Sequence, residues 1–91
     1  MLYYVYILKS LKDNSFYIGQ TQNLEERLQR HNKGRSRFTC GKNPWAIVYS
    51  EEFSTREEAM KREAEIKNKK SREYIDYLIN KSRYSSGHKS L

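Results

Sequence analysis

The chain has 91 residues, and 18 Lys and Arg against 11 Asp and Glu leave a net charge of +7. A chain of this length holds one small domain, which buries roughly 60–65% of its unfolded surface. Cys40, the single cysteine, excludes an internal disulfide and a zinc site of several thiolates, and no apolar run approaches the ~20 residues of a membrane helix. With no signal-peptide pattern at the start, we expect a cytoplasmic single-domain protein with no membrane attachment.

Residues 2–8 are rich in β-branched and aromatic side chains and predict a strand. Lys12, Asp13, Asn14 and Ser15 carry turn chemistry, since Asp and Asn bond their own backbone and accept turn geometry. Phe16–Thr21 predicts a second strand, so the two form a hairpin. Asn23 then reads as a helix cap with Glu26 as its capping-box partner. Leu24 and Leu28 give that helix an apolar stripe, and Lys33 and Gly34 end it, because glycine accepts the left-handed conformation. Residues 35–43 form a basic loop, and residues 46–50 predict a third strand after Pro44 and Trp45. Thr55 with Glu58 caps a second helix, in which Ala59, Glu63 and Ile66 fall on one side. Asn68, Lys69 and Lys70 interrupt it, and Ser71 caps a third helix with Ile75, Leu78 and Ile79 as its buried stripe. Residues 80–91 are rich in Ser and Lys with one aromatic, and predict a disordered tail. The order of elements predicts an α+β domain with a small, mostly antiparallel sheet covered by helices.

The charge is uneven. Residues 1–45 carry +5 and residues 46–91 carry +2. Arg27, Arg30, Lys33, Arg35, Arg37 and Lys42 fall in one stretch without an acid, a footprint that attracts polyanions, of which nucleic acid is the commonest. Four further features bear on chemistry. Tyr3, Tyr4, Tyr6 and Tyr17 lie on adjacent strands, with Tyr4 and Tyr6 on one face and Tyr3, Val5 and Ile7 on the other. They serve either cross-strand packing or proton exchange in a wet, basic cleft. Arg27 and His31, four apart, project from one side of their helix, beside the hairpin, where a guanidinium is shaped to hold a phosphate. Glu63 sits on an apolar helix side, so it either pairs with a base or reaches a cavity and holds a cation. Gly19 inside a strand marks a bulge or the close approach of another group.

Tyr4, Val5 and Tyr6 with Tyr17, Ile18 and Gly19 resemble the two halves of the GIY-YIG signature. Thr21, Asn23, Leu24, Arg27, Leu28, His31, Asn32 and Gly34 resemble the helix segment of the short, stand-alone bacterial members of that family. Ile47, Val48, Tyr49, Ala59, Arg62, Glu63, Ile66 and Lys67 resemble the later segments. The resemblance covers roughly residues 3–79, with Tyr4 standing where the first motif has glycine. It implies a nuclease fold, a three-stranded antiparallel sheet flanked by helices, over residues 1–79. It also implies a DNA endonuclease assisted by one divalent cation, Mg²⁺ or a substitute such as Mn²⁺. Carried over residue by residue, the catalytic set is Tyr6, Tyr17, Arg27, His31 and Glu63, with Glu63 as the metal ligand.

In that arrangement a water deprotonated with help from Tyr6 or His31 attacks the phosphate, and cationic neighbours lower the Tyr6 pKa from its ordinary ~10. Arg30, Lys33, Arg35, Arg37 and Lys42 are the expected nucleic-acid contacts. Larger relatives carry extra domains or partners that choose the target. We therefore expect DNA in branched, damaged or single-stranded form as the substrate, with a protein partner or a dimer supplying recognition. The alternative is a non-catalytic nucleic-acid-binding module or repair adaptor.

Overall fold

The computed structural model describes residues 2–34, 41–69 and 71–89, with residues 82–89 as backbone alone. Three strands, β1 (Tyr3–Ser10), β2 (Phe16–Thr21) and β3 (Trp45–Phe53), form one antiparallel sheet in the order β2-β1-β3. The helices are α1 (Leu24–Asn32), α2 (Arg56–Lys69) and α3 (Arg72–Lys89). This is the expected α+β architecture. Among the described residues no helix is long and apolar enough to cross a membrane.

Helices cover both faces of the central strand, which is why Val5, Tyr6, Ile7 and Leu8 are all buried in succession. Val5 and Ile7 point to one side, where they meet Ala59 and Ile66 of α2 and Ile75 and Leu78 of α3. Tyr6 and Leu8 point to the other, with Trp45, and Leu24 and Leu28 of α1 pack on them. The β1–β3 register slips between Ile7 and Leu8, which pair with Tyr49 and Ile47. The bulge turns successive residues to the same side: Val48 and Tyr49 both pack on the α2/α3 face, while Ile47 packs on the α1 face.

The predicted caps form. Asn23 Oδ1 accepts from the Glu26 amide at 3.0 Å, Thr55 Oγ1 from the Glu58 amide at 3.2 Å and Ser71 Oγ from the Tyr74 amide at 3.2 Å. The Glu58 carboxylate also bonds Thr55, closing a box. At α1 the Asn23 amide donates instead to Thr21 Oγ1 at 3.1 Å, so the end of β2 takes part in that cap. Gly34 ends α1 with a φ of 74°.

Three element ends differ from expectation. Two strands are longer: β1 runs to Ser10 and β3 to Phe53, which pairs with Tyr3. Ser10 is fully buried. Its hydroxyl accepts from the Lys12 and Asp13 amides and donates to the Lys42 carbonyl at 2.6 Å. A polar side chain that anchors the hairpin turn to the loop before β3 carries no apolar signal in sequence. Likewise α3 continues through residues 80–89, which composition assigned to a disordered tail. Elongating an existing helix adds one bond per residue fixed, and the segment contains no proline to stop it.

Candidate active site

The α1 face of the sheet carries three rings in mutual contact. Tyr6 stands on the central strand directly opposite Gly19, and its ring lies across that glycine. A Cβ on Gly19 would fall 2.6 Å from Tyr6 Oη and 2.8 Å from Cζ, so residue 19 is glycine to let the phenol pass over β2. Tyr17, two residues earlier on the same face of β2, lies against His31 with ring centroids 4.7 Å apart and ring planes tilted by 57°. A hydrogen bond of 3.1 Å joins the Tyr6 hydroxyl and His31 Nε2. His31 is buried at the end of α1. Its neighbour Asn32 holds that end in place: its side-chain amide accepts from the Trp45 amide at 2.5 Å and donates to the Trp45 carbonyl at 3.2 Å. Sequence reading passed over the positioning role of Asn32, because it joins a helix end to a strand start thirteen residues away.

Burial, and then the neighbouring Tyr17, pushes the Tyr6 phenol above its ordinary range. Arg27 pulls it down and Glu63 pushes it up. The expectation that cations would lower this phenol toward neutrality is therefore corrected: Arg27 acts in that direction, but burial outweighs it. His31 moves the other way. Burial first, then the charges of Arg27 and Arg30, hold its pKa below the usual value, so the imidazole is neutral near pH 7. The pair is thus a protonated phenol beside a neutral imidazole.

Arg27 is half-buried, one turn before His31. Glu63 reaches the Tyr6 hydroxyl by its charge although its helix packs on the sheet's opposite face. Its side chain is 18% exposed and forms an ion pair of 2.7 Å with Lys67, which is half-exposed. Of the two readings of Glu63, the first is realised directly. A cation also fits the donor present. Mg²⁺ takes one or two carboxylates and completes its shell with water and phosphate oxygens, and a half-exposed lysine on a flexible stem can yield its place. No cluster of three metal-ligating side chains occurs among the described residues.

A cleft of about 760 Å³ opens beside these groups, between the start of α1 and the start of α2. Tyr3, Gln20, Thr21, Arg27, Arg56 and Met60 line it. Arg56 carried no signal in sequence beyond its charge. Arg30 and Lys33 line a smaller hollow of about 250 Å³, which shares Glu26 with the first. Lys42 lies elsewhere, against the hairpin turn, 3.7 Å from Asp13. Arg35, Arg37 and Cys40 fall outside the described residues.

On the far face a second polar group stands apart from the rings. Arg62 donates to both Glu51 carboxylate oxygens at 3.0–3.1 Å, and the Tyr49 hydroxyl donates to the same carboxylate. Burial and this carboxylate push the Tyr49 phenol up to about 12.

Residues 2–76 match the GIY-YIG catalytic domain. The chain is 50% identical over 66 residues to a UPF0213 protein of Staphylococcus haemolyticus, covering 71% of this chain and 79% of that one. It is 42% identical over 80 residues to a UPF0213 protein of Clostridium perfringens, covering 87% and 85%. The solution NMR structure of a UPF0213 protein from Bacillus halodurans superimposes with a TM-score of 0.55 at 37% identity, covering 88% of this chain and 84% of that one. With residues 2–76 matched to that catalytic domain, and the segments Tyr4–Tyr6 and Tyr17–Gly19 paired across β1 and β2, the chain belongs to the GIY-YIG family.

Proposed function

We propose that this protein is an endonuclease that hydrolyses DNA phosphodiester bonds with the help of one divalent cation. The observation that carries the reading is the Tyr6 hydroxyl. It shares a hydrogen bond with His31 and feels the charges of both Arg27 and Glu63. Charged groups of α1 and α2, from the two sides of the sheet, thereby act on one oxygen of β1.

The phenol stays protonated and the imidazole neutral, so the proton acceptor is His31. With the Nε2 lone pair facing it, the Tyr6 hydroxyl donates to His31. As an attacking water gives up its proton to Tyr6 Oη, Tyr6 passes its own to Nε2. This relay needs no standing phenolate, whose formation burial opposes. Tyr17, against the imidazole, holds the ring plane and walls the water. The Arg27 guanidinium pairs with the non-bridging phosphate oxygens and stabilises their charge in the transition state. Glu63 would hold Mg²⁺ or Mn²⁺, and a cation there supplies polarisation of the phosphate and stabilisation of the leaving oxygen.

The test is cleavage of labelled duplex, flap and single-stranded DNA by the wild type and the Glu63→Gln variant, with and without Mg²⁺. The reading expects Mg²⁺-dependent nicks that the variant loses. Absence of cleavage on all three forms, or equal cleavage by the variant, rejects it. The Glu63–Lys67 ion pair favours a second reading, a non-catalytic nucleic-acid-binding module or repair adaptor whose carboxylate is neutralised in place. In that case DNA binding persists in Glu63→Gln and no product forms in either protein. Target choice by a protein partner belongs to both readings.

A further inference from the structure

The cleft between α1 and α2 contains a cation that the catalytic set does not use. Arg56 opens α2 and lines the cleft on the side opposite Arg27 of α1. Met60 lies one turn along α2, and Glu63 one turn further. The spacing of four and then three residues puts Arg56, Met60 and Glu63 on one helical stripe. Seven residues at 1.5 Å each place Arg56 about 10 Å along the axis from Glu63. The cleft therefore adjoins the catalytic groups and shares Arg27 with them.

Its size and lining suit a nucleotide. About 760 Å³ is within the range of small-ligand sites. Met60 is 52% exposed, an apolar side chain on the cleft wall. Tyr3 supplies an aromatic on the strand side. A base is sandwiched well by such groups without regard to sequence. Gln20 offers both donor and acceptor to a base edge or a sugar. Glu26 also lines the cleft. It offsets one of the two guanidiniums and can accept from an N–H of the base. One phosphate on each arginine with a base between them satisfies this set. A base that enters a concavity must leave its stack, so the occupant is unpaired.

We propose that this cleft seats one unpaired nucleotide next to the scissile phosphate, and that Arg56 holds that nucleotide's outer phosphate. The proposal rests on the nuclease reading and deepens it by naming the substrate form. Arg56 is a positioning residue that sets which DNA structures are taken.

The test measures binding of a fluorescein-labelled oligothymidylate and of a hairpin duplex to the full chain, by anisotropy over a salt series. It compares the wild type with Arg56→Gln and Met60→Ala, and measures cleavage in parallel. The expected result is about a tenfold loss of oligothymidylate affinity in Arg56→Gln and a salt slope shallower by about one phosphate contact. Met60→Ala should weaken binding with the slope unchanged, as stacking loss predicts. Both variants should melt as the wild type does, since both side chains are exposed. Equal affinity and slope for Arg56→Gln overturns the proposal, as does tighter wild-type binding to the duplex than to the oligothymidylate. If the wild type cleaves DNA and Arg56→Gln is unchanged, the cleft proposal fails alone. If Arg56→Gln loses binding but no protein cleaves, the nuclease reading fails and the binding cleft stands.

Discussion

Gly19 and Tyr6 share one volume. A methyl group at residue 19 would sit well inside van der Waals contact with the Tyr6 ring and 3.1 Å from the Tyr17 ring. Tyr6 cannot swing aside, because it is buried and bonded to His31. Gly19→Ala should therefore cost about 1–3 kcal/mol in a denaturant melt, the scale of overpacking, and should displace the Tyr6 hydroxyl. A variant as stable as the wild type would mean that the phenol has room to move. His31 gives a pH prediction at the same scale. Its folded pKa is depressed, so between that value and the unfolded ~6.5 the unfolded chain binds more protons. The contribution is then fully present above about pH 6.5 and is lost as pH falls through the folded value. Melting temperatures across that range should drop on the acid side, and His31→Gln should flatten the drop. The raised phenol of Tyr6 acts oppositely: its contribution is present below ~10 and is lost as pH rises through the raised folded value.

At the level of elements, what was legible was local. Each cap needs one side-chain oxygen and an amide three residues on, so Asn23, Thr55 and Ser71 could be read from the string. The alternation of β1 placed Tyr6 and Tyr3 on opposite faces correctly, because period two is a property of any strand. The candidate set Tyr6, Tyr17, Arg27 and His31 followed from adjacent elements and a motif. The features missed are tertiary. The bulge opposite Ile7 and Leu8, the Asn32–Trp45 clamp, the anchor at Ser10 and the cleft residue Arg56 join segments with no shared period. The same holds for the Glu51–Arg62 pair, which fastens α2 to β3. Each partner is 21% exposed, so removing one strands a half-buried charge. Arg62→Met should cost about 2–3 kcal/mol, less than the 3–5 of a fully buried pair. Calorimetry on the single and double variants with Glu51→Met decides this. If the costs of the two single variants add up to that of the double, the pair carries no coupling.

The molecule as a whole is a sheet with chemistry on both sides of one strand. α1 brings Arg27 and His31 to the face that carries Tyr6, while α2 brings Glu63 from the opposite face. The central claim is that these groups address a single bound phosphate. Mn²⁺ is the direct probe, since it substitutes for Mg²⁺ and broadens the NMR signals of nearby nuclei. Titrated into the isotope-labelled protein with a short non-hydrolysable phosphorothioate oligonucleotide, Mn²⁺ should broaden the resonances of Glu63, Tyr6 and Arg27 together. Glu63→Gln should abolish the effect while the oligonucleotide remains bound. Broadening centred on another part of the chain, or the same broadening in Glu63→Gln, would contradict the claim.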